Sequence, residues 1–390
     1  MLGATTMCPP AFRSAGKSAA RIPPKKLGST ENAAGLCPRP DRDEFTVPAS
    51  NSPGAIAVML PRDLPAAQFV AYARRAEELG FDEIWVVEDC FFRGGIAQAA
   101  VVLAATTTIV VGIGILPAAA RNPGFATLEI ATLAELFPGR LQVGIGHGMP
   151  AWMRQTGSWP ASPLAMLAEN IDLSRALLRG ATATEVGRYA QADAVALAGV
   201  PATVPPILAG VRGPKSLALA GACADGVVLA EPVTPEYLKA AIDALDAGRD
   251  APPEGFGFPG LRPPLGRRHV VAYNAAAVDE DPAVARDLVR PALEWIGDPD
   301  WAPHIRVLPF AEEFAALRSD SASRAEFAAA LPESWVDQLA VVGTAASARR
   351  RIDELHAAGA TSVVLIPAGP DPVKALESLA AVLSVRTGAA

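Results

Sequence analysis

Cysteine and histidine are scarce in this chain and nowhere clustered. The cysteines, Cys8, Cys37, Cys90 and Cys223, include no C-x-x-C pair, and His147, His269, His304 and His356 show no H-E-x-x-H or similar spacing. Disulfide frameworks and zinc centres both need grouped ligands, so neither is expected, no catalytic metal is expected, and a reducing cytoplasm is the implied compartment. Long apolar runs are also missing. The longest, 96–116, is broken by Thr106-Thr107-Thr108 and by glycines, which reads as helix, turn and strand and not as a membrane span. Positive charge is in deficit: 34 Lys and Arg face 41 Asp and Glu, a net charge of -7. A nucleic acid or an anionic membrane would be repelled by that balance, so neither is an expected partner. No Walker loop and no Ser/His/Asp arrangement can be read from the chain.

What is present is apolar and regular. Hydrophobic residues make up 51% of the 390 and charged residues 19%, enough to bury a large core. Residues 1–52 differ from the rest: they are rich in Pro, Ser, Gly and Ala, carry scattered Arg and Lys, and lack apolar periodicity. They read as a disordered N-terminal extension. A secretory signal would need a continuous apolar stretch of about 7–15 residues, and none is found there. Residues 53–388 read as one domain.

Within that domain short apolar strands alternate with helices. Strands are expected at 55–60, 84–87, 109–115, 141–145, 206–209, 226–229, 269–273 and 362–367, each a continuous apolar run of the kind buried on both faces of a parallel sheet. Helices are expected between them, for example 64–79, closed by Gly80, and 126–137, closed by Pro138-Gly139. The stretch to Leu197 is polar and reads as an excursion from the main sheet, and 251–264 as a Pro/Gly-rich loop. Eight such units favour an α/β fold of the (β/α)8 TIM-barrel type with an inserted segment, with an open doubly wound sheet as the alternative.

Ligands of parallel α/β folds bind at the carboxyl ends of the strands, and several unusual clusters stand there. Glu88 and Asp89 follow the second strand directly. A carboxylate in the barrel mouth suits general acid work or hydrogen bonding to a cofactor ring, whereas one that caps the next helix or pairs with Arg93 is structural. Gly112 and Gly114 interrupt the third strand, where glycine is justified either by close approach of a flat ligand or by tight packing. Gly144-Ile145-Gly146-His147-Gly148 follows the fourth strand as G-x-G-x-G, which is not the dinucleotide fingerprint. It either exposes backbone amides to a phosphate or makes a plain turn. Gly210, Arg212, Gly213, Pro214 and Lys215 open a helix whose free amides and dipole form a credible anion site. Of the tryptophans outside the strands, Trp152 alone stands beside one of these clusters.

Several stretches together resemble the bacterial luciferase-like oxidoreductase superfamily: Ala76-Glu77-Glu78-Leu79-Gly80-Phe81-Asp82-Glu83-Ile84-Trp85, Val110-Val111-Gly112-Ile113-Gly114-Ile115, Arg121-Asn122-Pro123, Leu136-Phe137-Pro138-Gly139-Arg140-Leu141-Gln142-Val143-Gly144-Ile145-Gly146 and Val341-Val342-Gly343-Thr344. Within it the likeness is greatest to the deazaflavin-dependent methylenetetrahydromethanopterin reductases. The resemblance implies a luciferase-like (β/α)8 barrel that binds coenzyme F420 or FMN with its ring in the mouth. It implies a non-prolyl cis peptide at Gly114-Ile115 supporting the ring, and a phosphate end held by Gly146, His147 and Gly148 with Arg212, Gly213, Pro214 and Lys215. Where the family often shows Asp-His, this chain has Glu88-Asp89, and the identity of the acid and of the substrate stays open. The expected activity is hydride transfer between the cofactor and a small organic substrate, with Glu88 or Asp89 as proton donor. An FMN-dependent monooxygenase and a non-catalytic flavin-binding barrel are the alternatives, and a homodimer through the helix at 126–137 is possible.

Overall fold

The computed structural model describes residues 54–251 and 268–385, so the expectations for 1–52 and for most of the loop at 251–264 lie outside the described residues. The strands are β1 (Ala55–Met59), β2 (Glu83–Val86), β3 (Val110–Pro117), β4 (Leu141–Gly146), β5 (Ala183–Val186), β6 (Gln191–Val195), β7 (Ile207–Gly210), β8 (Gly226–Leu229), β9 (His269–Val278), β10 (Val341–Gly343) and β11 (Ser362–Pro367). Eight of them close on themselves in the order β1-β2-β3-β4-β7-β8-β9-β11, every pairing parallel, with β11 returning to β1. This is the closed (β/α)8 barrel, not the open sheet. β5 and β6 form a separate antiparallel hairpin, the inserted segment.

Helices wrap the barrel because their apolar residues recur at the helical period. In Phe69–Leu79, Phe69, Tyr72, Ala73 and Ala76 are buried on one face. Gly80 ends it at φ 90°, a left-handed conformation that glycine adopts without a Cβ penalty, and its N–H caps the Ala76 and Glu77 carbonyls. Among the described residues no helix is long and apolar enough to cross a membrane.

β9 runs to ten residues, five beyond the expected end. Its first part pairs with β8 and β11 inside the barrel, while Ala276–Val278 pair with β10. Ala276 is matched to both Val341 and Pro367, so β10 lies on the edge of β9 opposite β11 and prolongs the line of β8. Asn274 and the alanines after it hide this extension, since that run favours turn or helix. Asn274 is buried there: its Oδ1 accepts the Val233 N–H at 3.0 Å, while its Nδ2 has no hydrogen-bond partner among the described residues. The extension carries a second core built from Ala275, Ala277, Val289, Phe314, Phe327 and Val342 among others, over which the helices of 282–339 pack.

The barrel interior is filled. Ala57, Trp85, Val87, Leu208, Val228, Val271, Tyr273 and Val364 form one buried cluster, topped by Met59, Ile115 and Ile366, which keep some exposure. At the foot, the buried Glu83 carboxylate accepts hydrogen bonds from Trp85 Nε1 (2.7 Å), Ser362 Oγ (2.7 Å) and Gln142 Nε2 (3.0 Å). His269 meets Gln142 Oε1 through Nε2 and Thr361 Oγ1 through Nδ1, both at 2.6 Å. Because Gln142 gives its amide nitrogen to Glu83, its oxygen must accept, so Nε2 carries the His269 proton and Nδ1 accepts from Thr361. Burial lowers the His269 pKa, in keeping with a neutral ring.

Candidate functional site

The mouth of the barrel is assembled from the segments that leave the strands. β3 bends where the Gly114–Ile115 peptide is cis and the register with β4 shifts between Ile113 and Leu116. The expected cis peptide is thus present. The bend brings Ile115 across the top of the barrel, where its side chain covers the space beside Gly144, Gly146 and Gly210; a β-carbon at Gly144 or Gly210 would collide with it, and one at Gly146 with the Gly210 carbonyl. Gly112 serves Trp85 in the same way, its missing side chain being replaced by the indole, and Gly112 is buried there. Of the two readings of the strand-three glycines, Gly112 follows close packing. Gly114 faces the Tyr273 hydroxyl and keeps some exposure. Met59, Ile115 and Ile366 therefore present an apolar floor to the outside, with Tyr273 just below it.

One wall of the mouth is the expected anion site, and the structure brings its two halves together. Gly146 and Gly210 are direct partners in the β4–β7 ladder, and His147 Nε2 lies 3.2 Å from Ser216 Oγ in the first turn of the helix Pro214–Cys223. Gly148 takes φ +71°, a conformation that holds the turn and that β-carbons disfavour. Gly213 is the N-cap of that helix and makes no side-chain cap; beyond it Pro214 and Lys215 are exposed. The first-turn amides are left to an outside acceptor. Burial lowers the pKa of His147 and favours its neutral form. Arg212 turns away from this helix: its guanidinium donates to the Asp300 carbonyl at 3.3 Å and lies 4.9 Å over the Trp301 ring.

The opposite wall holds Glu88 and Asp89, and both are engaged by arginines. Glu88 receives Arg121 through both oxygens at 2.6 Å and also accepts the Gly95 N–H, so it caps the following helix as well. Its partner is Arg121 and not Arg93, which instead donates to the Arg62 and Leu64 carbonyls. Asp89 binds Arg62 at 2.7 Å. The bidentate contact raises the Arg121 pKa. Phe91 and Phe92, just beyond, are exposed at 70% and 51%, large apolar surface beside the opening. A side recess of about 300 Å³ adjoins Arg121 and is lined by Asn122, Asn170 and Tyr189 among others; it includes none of the three floor residues. Trp152 lies in a short helix, Pro150–Gln155.

Sequence reasoning passed over two residues here. Glu231 stands two positions after β8, and burial is the main cause raising its pKa; a hydrogen bond from its own backbone N–H, Arg212 and Arg62 oppose the rise and Asp89 adds to it. Tyr273 is 4% exposed and its hydroxyl has no hydrogen-bond partner among the described residues. The rule that singled out Glu88, a carboxylate just past an apolar strand, also describes Glu231 after Gly226–Leu229. Tyr273 sent no signal, because an aromatic in a barrel strand reads as packing.

Comparison with known proteins follows the geometry. The luciferase-like monooxygenase family matches residues 47–362. A 5,10-methylenetetrahydromethanopterin reductase of Methanolobus tindarius is 29% identical over 333 residues, 82% of this chain and 95% of that protein. The solved coenzyme F420 dependent tetrahydromethanopterin reductase of Methanopyrus kandleri superposes with a TM-score of 0.70 at 22% identity, covering 84% of this chain and 98% of that one. The FMN complex of a type II Baeyer-Villiger monooxygenase from Pseudomonas putida does so with 0.65 at 17% identity, covering 85% and 97%. With the closed barrel, the bent third strand and a match over most of its length, this chain belongs to the luciferase-like monooxygenase family.

Proposed function

We propose that this oxidoreductase transfers hydride between coenzyme F420, or FMN, and a small organic substrate at the mouth of the barrel. The observation that carries the reading is the partly exposed apolar floor of Met59, Ile115 and Ile366 beside a helix N-terminus whose amides have no side-chain cap among the described residues. A flat ring needs the first and an anionic tail the second. The orphaned Tyr273 hydroxyl directly below the bend is a further sign that a polar ligand completes this region. The F420-dependent glucose-6-phosphate dehydrogenase of Nakamurella multipartita, 31% identical over 186 residues, supports F420 as the first choice.

In this reading Ile115 supports the ring, and Gly146, His147, Gly148, Gly213 and Lys215 hold the phosphate end through main-chain amides and the imidazole, while Pro214, which has no N–H, opens the helix. The cofactor supplies the two-electron chemistry when bound. The protein orients it, excludes water and manages the proton. Arg62 and Arg212 add positive charge at the rim, and the free thiols of Cys90 and Cys223 fit a reducing cytoplasm. Exposed Phe125, Leu128 and Leu136 on the helix Pro123–Leu136 support pairing of two copies.

Titrating the purified protein separately with F420 and with FMN, following quenching of cofactor fluorescence, tests the assignment. Quenching by F420 at micromolar concentration, with substrate-dependent reoxidation of its reduced form, is the expected result. Exclusive FMN binding with oxygen consumption would establish the second reading, a flavin monooxygenase, which the fold shared with the camphor-plasmid enzyme supports.

A further inference from the structure

Glu231 differs from the other acids of the mouth in how it is held. Its backbone is fixed from three sides: the Glu231 carbonyl accepts Trp301 Nε1 at 3.0 Å, the Pro232 carbonyl accepts His304 Nδ1 at 3.0 Å, and the Val233 N–H donates to Asn274 at 3.0 Å. Its carboxyl makes no salt bridge within 4 Å among the described residues, although Arg212 and Arg62 are near enough to act on it electrostatically. Glu88 and Asp89 each have a guanidinium within 2.7 Å. Burial above all raises the Tyr273 pKa, and the Glu231 carboxyl is near enough to add to the rise.

We propose that Glu231 is the catalytic acid of the site, donating its proton to the substrate as the hydride arrives. The inference rests on the oxidoreductase reading above and names the proton donor that the reading requires. A general acid must be protonated near neutral pH and aimed into the mouth by a rigid backbone, and it must not be tied up in an ion pair. Burial favours the protonated state and the three backbone anchors supply the rigidity. The step balances for a substrate C=O or C=N bond reduced by the reduced deazaflavin or flavin. The hydride brings both electrons of the broken bond, C–H in a reduced deazaflavin or N–H in a reduced flavin, to the substrate carbon. The π pair moves to the heteroatom and takes the Glu231 proton, forming O–H or N–H. The carboxylate then recovers a proton from water, equal to the one released when the cofactor is oxidised.

The test uses the full-length protein with and without cofactor. Infrared spectra of the unliganded wild type at pH 7 should contain a carboxylic-acid carbonyl band that E231Q abolishes. With reduced F420 and a panel of aldehydes, ketones and cyclic imines, E231Q should lose about 100-fold or more in turnover, the size expected of a general acid. Its affinity for F420 should stay within about threefold, and E231D should recover part of the rate. E231Q turning over within about threefold of wild type, or keeping the infrared band, would overturn the assignment alone. A wild type that binds neither F420 nor FMN would overturn the oxidoreductase reading, and this role with it.

Discussion

The two ends of the barrel contain similar residues in opposite states of completion. At the foot, Glu83, Gln142, His269, Thr361 and Ser362 form a chain in which Glu83 satisfies three donors and both His269 nitrogens have partners. At the mouth, Tyr273 is buried too and its hydroxyl has no hydrogen-bond partner among the described residues, while Glu231 lies near two arginines and forms a salt bridge with neither. Buried polar groups are normally satisfied, so an orphan is informative about what is missing. This network at the foot is satisfied by the protein itself, although the nearby His356 Nε2 is also an orphan among the described residues; at the mouth, the ligand proposed above would complete the region of Tyr273. The N-terminal face of a barrel serves stability and the C-terminal face chemistry, and here the bonding pattern draws that division.

Removing polar atoms at each end breaks or sharpens the contrast. The largest effect is expected from Glu83→Ala, which strands the Trp85, Ser362 and Gln142 donors together and should cost roughly 3–5 kcal/mol in urea unfolding. A loss below about 1 kcal/mol would erase the difference between the ends. His304 supplies a pH-dependent counterpart behind the mouth. It is fully buried, and its pKa is lowered from 6.5 to about 3 by burial first and by Arg212 second. The unfolded chain takes up the proton below pH 6.5 while the folded one refuses it, so stability is fully present above that pH and falls as the pH drops towards 3. The slope from this group alone approaches about 1.4 kcal/mol per pH unit, and denaturation at pH 7, 6 and 5 should be flatter in His304→Gln.

Arg121→Ala leaves Glu88, whose side chain is 10% exposed, without its guanidinium, and about 2 kcal/mol of stability should go with it. The partial exposure of Arg121, 28%, keeps this below the figure for a fully buried pair. The smallest effect is expected from Tyr273→Phe. Deleting a hydroxyl with no partner should leave unfolding within about 0.5 kcal/mol of wild type, and a clear loss of stability would show that the group is satisfied after all.

The barrel was legible because its strands are unbroken apolar runs between strong punctuation, such as Gly80 and Pro138-Gly139. All eight barrel strands were expected within a few residues of where they lie, β9 excepted. β10 was missed because Val341-Val342-Gly343 is too short to stand out, and the tail of β9 because Asn274 and three alanines have no strand signature. In the site, His147 and the Gly213 helix could be joined beforehand, since both follow neighbouring barrel strands. The fate of Glu88 could not. Whether a carboxylate is free or locked depends on Arg121, 33 residues further on, and no local pattern records that pairing.

The length of β9 bears on how such a protein can diverge. One continuous strand contributes His269 to the foot, Tyr273 to the mouth and Ala275 and Ala277 to the outer core, so the helices of 282–339 share a structural member with the barrel itself. They are not a detachable module. Exchanging them for another cap would remove the last third of a barrel stave, and variation in substrate choice is correspondingly easier in segments that only rest on the rim, such as 150–162.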